Sequence, residues 1–237
     1  MLLKKILQGF ILLISLIGLV QPVTAANYAG VYQGRFVGGH QGAFALYVRP
    51  NNTGVVIAYD RTANHGFSDR RIRIQPNGSF LVNNIGGTGT KVSGKVLQRG
   101  LVRGSYVTSV GAKGTFVARR LPRKGPHRKH VGYYAGVFSS TPAACRGLKG
   151  SGKAIAILSA NGKIALYTRV TRSNNPSLWP IGQQDAGIAK MNPGGAFSGR
   201  TSSGISIKGQ LKGRLVRGTF ADPRSTCTGT FRLLKRR

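Results

Sequence analysis

Side chains able to do covalent or metal chemistry are few in this sequence. Asp60, Asp69, Asp185 and Asp222 are its only carboxylates, glutamate is absent, and four histidines and two cysteines stand among 36 lysines and arginines. Cleavage of a glycosidic bond needs two acids flanking it, which four scattered aspartates supply poorly. A Ser/His/Asp site could be assembled from His40, His65, Asp60 and Asp69, but no G-x-S-x-G elbow presents a nucleophile. GLKGSGKA, residues 147–154, comes within one residue of a phosphate-binding loop. There Ala154 replaces the hydroxyl that would hold magnesium, and a strand pattern follows where a helix should. His127 and His130 sit among four cations with no acid nearby, a poor metal site. Neither a metal nor a cofactor is expected, and the residues point away from catalysis.

What the chain supplies in quantity is positive charge. LVRGSY at 101–106 returns as LVRGTF at 215–220, placing Arg103 and Arg217 at the same point of each phrase. Lys4 and Lys5 precede an apolar run, Ile6 to Val20, and then QPVTA, the pattern of a secretory signal cleaved near Ala25. Removing residues 1–25 leaves 34 cations against four acids, a net charge of +30 (34 − 4). Solubility needs far less. A field of this sign attracts anionic polymers or an anionic membrane surface, with acidic polysaccharide, lipopolysaccharide and nucleic acid all candidates. In an exported chain Cys145 and Cys227 are expected to form a disulfide, and the location is expected to be periplasmic or extracellular.

The elements that must carry these charges read as strands. Short alternating runs of Val, Ile, Tyr, Phe and Thr are punctuated by Gly and Asn-Gly, and no segment after residue 25 has a helical period. The two halves echo one another in order: YAGVY at 28–32 with YAGVF at 134–138, NNTGVVIAYD at 51–60 with SANGKIALYT at 159–168. NGSF at 77–80 likewise answers GGAF at 194–197, and GTFVARR at 114–120 answers GTFRLLK at 229–235. The chain is therefore an all-β tandem duplication: signal 1–25, first β-domain 26–121, a basic exposed linker 122–133 and second β-domain 134–237. Each domain is expected to be an antiparallel meander of about eight strands, a small barrel or a sandwich, and the protein a monomer of two domains.

Strand alternation sorts the cations by face. Ile205, Ile207, Gly209 and Leu211 turn inward, so Lys208 and Lys212 turn out, and Arg217 follows on the next strand. In the first copy Lys91, Lys95 and Arg103 occupy the same outer face. Arg71 and Arg73 flank the inward Ile72, and Lys190 aligns with Arg73. Like charges across a strand pair are mildly destabilising, a cost that a bound polyanion removes; blocking edge-to-edge aggregation would also use them. Two longer loops, 61–69 and 172–184, each join an arginine to one large aromatic, Arg61 with Phe67 and Arg172 with Trp179. Rings of this kind stack on sugars or bases, or plug a barrel mouth, and the sequence leaves both open for Trp179.

Overall fold

The computed structural model describes residues 27–236, and the signal segment expected at 1–25 lies outside them. The first copy consists of β1 (Gly30–Gly38), β2 (Gly42–Val48), β3 (Thr53–Asp60), β4 (His65–Arg73), β5 (Ser79–Val82), β6 (Lys91–Val96), β7 (Leu101–Val107) and β8 (Lys113–Arg120). The second consists of β9 (Gly132–Ser140), β10 (Gly150–Leu158), β11 (Lys163–Ser173), β12 (Gln184–Met191), β13 (Ala196–Thr201), β14 (Ser206–Lys212), β15 (Leu215–Asp222) and β16 (Cys227–Lys235). Every ladder is antiparallel, and β9 to β16 close into an eight-stranded barrel. The first copy curls the same way in the order β4-β3-β2-β1-β8-β7-β6-β5, leaving a seam between β4 and β5 where the second copy pairs β12 with β13.

The alternation expected for LVRG holds in both copies: Val102 and Val216 are buried, Arg103 and Arg217 exposed. The glycine of each phrase is there for space. A Cβ on Gly104 would stand 2.3 Å from Cζ of Phe116, and one on Gly218 equally close to Cζ of Phe231; the small barrel fits its aromatic core only over bare backbone.

The first echo is out of register by four residues. Gly30 and Gly132 share a backbone φ near 150° (152° and 150°). Tyr32 and Tyr134 each donate their hydroxyl to a carbonyl four residues back, at 2.7 Å. YQGRF at 32–36, and not YAGVY, is thus the partner of YAGVF.

The two barrels are packed together. Val55 and Ile57 on β3 face away from their own core and meet Ile155 and Ile157 on β10, with Val31, Tyr133, Tyr167 and Ala186 around them. The segment expected as an exposed linker is docked in part. His127 is buried, its amide donating to Ala160 O at 3.1 Å, and Arg123 Nη2 donates to Ala29 O at 2.9 Å. The disulfide is present: Cys145, at the end of a 3-10 turn after β9, bonds Cys227 at the start of β16.

Candidate polyanion-binding surface

Outward positions on neighbouring strands line up across each barrel, and strand spacing sets them about 4.8 Å apart. In the first copy Arg35 on β1 pairs with Val117, Val117 with Arg103, and Arg103 with Lys95, so three cations lie in one row over four strands. The equivalent row in the second copy runs Arg169, Lys153, Val137, Arg232, Arg217 over β11, β10, β9, β16 and β15. A third joins Lys163, Lys190, Ser198 and Lys208 across β11 to β14. All of these cations are exposed. Lys95–Arg103, Lys153–Arg169, Lys163–Lys190 and Arg217–Arg232 are direct cross-strand neighbours of like charge, each costing up to about 1 kcal/mol in the absence of a counter-ion.

No side-chain carboxylate relieves them, because all four aspartates are buried and engaged elsewhere. Asp69 Oδ1 accepts from the Arg71 amide at 2.8 Å and Arg71 Nε at 3.1 Å, while Oδ2 accepts from Arg71 Nη2 at 2.6 Å and the Gly86 amide at 2.9 Å. Burial alone would raise this carboxyl, but the guanidinium and the two amides outweigh it and hold Asp69 below the ordinary carboxylate range. Asp222 is treated alike by Arg224, whose amide lies at 3.0 Å and whose Nε and Nη2 each lie at 3.1 Å; it too is lowered against the effect of burial. Asp60 binds His40 Nδ1 at 2.5 Å and the amides of Thr62 and Ala63. Asp185 accepts from the Ser202 and Ser203 hydroxyls and the Ala186 amide.

Arg73, Lys91, Lys95, Arg103, Lys190, Lys208, Lys212 and Arg217 are exposed, as the alternation required. Lys208 and Lys212 lie two residues either side of Gln210, which faces Arg217. Arg71 is the exception: it too is exposed, but its guanidinium is committed to Asp69, with Nη2 also donating to Asn84 O at 2.8 Å. Arg35, Lys153, Lys163, Arg169, Arg200 and Arg232 are likewise exposed on strands and were missed, although their outward parity could have been read by the same alternation.

Neither aromatic stands free on an exposed loop. Trp179 is buried, packed edge-on against Phe138 and tilted against Phe220 at ring distances of 6.1 and 5.9 Å, the placement of a plug in the core. Phe67 belongs to β4, which begins at His65 and reduces the expected 61–69 loop to four residues; its ring packs on the first core. The arginines of these loops remain exposed. Arg172 lies on β11, in register with Ser151. Arg61 and Arg200 both line a groove of about 270 Å³ between the barrels, with Gln33, Tyr59 and Ser202 among its polar walls and Phe44, Ile57 and Ile188 among its apolar ones. Lys163 Nζ donates to Gln33 Oε1 at 3.3 Å, linking the groove to the third cation row. Among the described residues no three metal-ligating side chains come together.

No family model matches the chain, and no curated protein matches it. Solved structures do. A provisionally assigned outer membrane protein from Bacteroides fragilis is 12% identical over 90% of this chain and 99% of its own, with a TM-score of 0.29. A protein of unknown function from the DUF3598 family of Nostoc punctiforme is 12% identical over 92% and 100%, with a TM-score of 0.28. A variant of transferrin binding protein B from Haemophilus parasuis is 8% identical over 87% and 76%, with a TM-score of 0.30. The functional reading therefore rests on the residues of this chain.

Proposed function

We propose that this protein binds an anionic polymer, of the class of acidic polysaccharide, lipopolysaccharide or nucleic acid, through the cationic outer faces of its barrels, and catalyses no reaction. The observation that carries this reading is the set of cross-strand like-charge pairs left without a side-chain carboxylate while every aspartate is buried. Surface charge kept only for solubility would be interspersed with acids. The Arg61–Arg200 groove gives a polymer a track from one barrel to the other, and two joined cationic modules gain avidity on one polymer. Apolar cores inside and cations outside are the reverse of a membrane-spanning barrel, where each outward cation at mid-bilayer costs about 2 to 4 kcal/mol. The disulfide and the signal pattern together support a periplasmic or extracellular location.

A second reading is a structural envelope or matrix protein held by charge alone. It is favoured by the spread of the charge, +11 in residues 26–121, +4 in 122–133 and +15 in 134–237. Binding of the protein to duplex DNA, lipopolysaccharide, an acidic polysaccharide and a neutral polysaccharide between about 50 and 200 mM salt separates the two. One anionic ligand retaining its affinity at the higher salt supports a shaped surface. Equal collapse for all anions, by about 10³-fold or more, favours charge alone, and no anionic binding refutes both.

A further inference from the structure

The duplicated barrels differ inside. The second is filled: the loop between β11 and β12 is ten residues long, residues 174–183, and delivers Trp179 onto Gly150, where a Cβ would lie 2.1 Å from Cε3 of the indole. About 70 Å³ remains open there. In the first copy the equivalent loop is only residues 61–64, which include no aromatic residue, and its one long side chain, Arg61, lines the groove between the barrels and not this cavity. The result is a cavity of about 280 Å³ that opens at the same end. An unfilled void of this kind forfeits the contacts its lining could make.

The walls and the mouth have different chemistry. Phe36, Phe44, Phe67, Phe80, Phe116 and Tyr106 line the interior. Phe44 and Phe116 meet edge to face at 5.8 Å, as do Phe36 and Tyr106 at 6.0 Å, so the lining presents both ring edges and ring faces. Hydroxyls and imidazole gather at the mouth: His40 from the β1–β2 connection, Thr88 from β5–β6, Thr108 and Ser109 from β7–β8. His40 is held in place. Its backbone amide donates to Tyr106 Oη at 2.9 Å, its carbonyl accepts from the same hydroxyl at 2.8 Å, and Nδ1 is taken by Asp60. Nε2 has no hydrogen-bond partner among the described residues, and His40 lines the cavity.

We propose that the first barrel binds a compact aromatic molecule with one polar group, the ring system among the phenylalanines and the polar group at His40. Apolar walls with a few convergent polar groups are the usual make-up of a small-molecule site. The size follows from scale: a cavity of about 150 Å³ takes benzene, so 280 Å³ takes about eleven non-hydrogen atoms. This site is inside the barrel and is independent of the outer cations.

The probe is 2-naphthol, which has about that many non-hydrogen atoms and no charge at neutral pH, titrated calorimetrically at about 0.5 M salt to screen the surface. Saturable binding at one site per chain is expected, tighter than naphthalene by about two- to tenfold through the hydrogen bond at the mouth. His40→Ala removes that difference. Ala58→Phe, within the cavity wall, and Ala63→Trp, at an exposed mouth position, each weaken 2-naphthol at least tenfold. If Ala58→Phe does not fold, Ala63→Trp decides. The proposal is overturned by absent saturation, by two equal sites, by affinity unchanged in Ala63→Trp, or by 1-decanol binding as tightly as 2-naphthol.

Discussion

Replacing Trp179 by alanine separates the two roles open to the only tryptophan in the chain. The side chain is 4% exposed and touches Phe138, Phe220 and the bare backbone of Gly150. Truncating a buried tryptophan costs about 3 to 5 kcal/mol, and the loss is larger where the surroundings cannot collapse. The second barrel is laddered all the way round and tied by a disulfide, which puts the expectation at about 4 to 5 kcal/mol, a large part of one domain's stability. With a urea slope of about 2 kcal/mol per molar, the midpoint for this barrel falls by about 2 M. Circular dichroism at the far-ultraviolet strand band reads the transition without needing the indole. Polyanion affinity measured on the folded variant stays within about threefold, since no row of cations moves. A stability loss under about 1 kcal/mol together with weakened polymer binding would refute the plug and restore Trp179 as a ligand contact.

Two further outcomes follow from the same physics. Cys145→Ser with Cys227→Ser reopens a loop of 82 residues, for which chain entropy predicts a loss of about 4.5 kcal/mol, checked by urea denaturation against the oxidised protein. Asp69 and Asp222 are both held below their ordinary value of 3.8 in the folded chain. Their contribution is therefore complete above about pH 4 to 5 and lost as the pH falls through the lowered folded values. Asp69→Asn is expected to be less stable at pH 7 and to show a flatter stability profile between about pH 5 and pH 2.

Much of this was legible from alternation. A period of two along LVRG and SIKGQLK separates core from surface whatever the register, so the outward cations could be named without knowing their neighbours. Register was not legible. The row joining Arg169, Lys153, Arg232 and Arg217 depends on which residues face each other over five strands, and one repeated phrase, YAGVY, misled by four positions because a matching string outweighed the structural Gly-x-Tyr-x-Gly-x-Phe pattern beside it. The packing of one barrel on the other left a trace in the uninterrupted apolar runs VVIA at 55–58 and AIAIL at 154–158, which suit strands buried on both faces. Arg71 looked like any outward arginine, since Asp69, two positions away in sequence, claims it beside a shift in the β3–β4 register that simple alternation does not foresee. The unequal filling of the two barrels lies in loop length, four residues against ten, and becomes visible only when β4 is seen to begin at His65.

The claim at the centre is that cations aligned on the sheets, and not total charge, bind the polymer. Two triple variants of equal charge test it: Lys163→Gln, Lys190→Gln, Lys208→Gln on one row, and Lys124→Gln, Arg128→Gln, Lys129→Gln in the connecting segment, all six residues being exposed. With duplex DNA as ligand, the row variant is expected to lose at least tenfold in affinity. The slope of log K against log salt should shrink by about 2.7, or about 0.9 for each lost contact. The connecting-segment variant should stay within about threefold. Equal losses in the two proteins would contradict the account and leave charge alone as the binding principle.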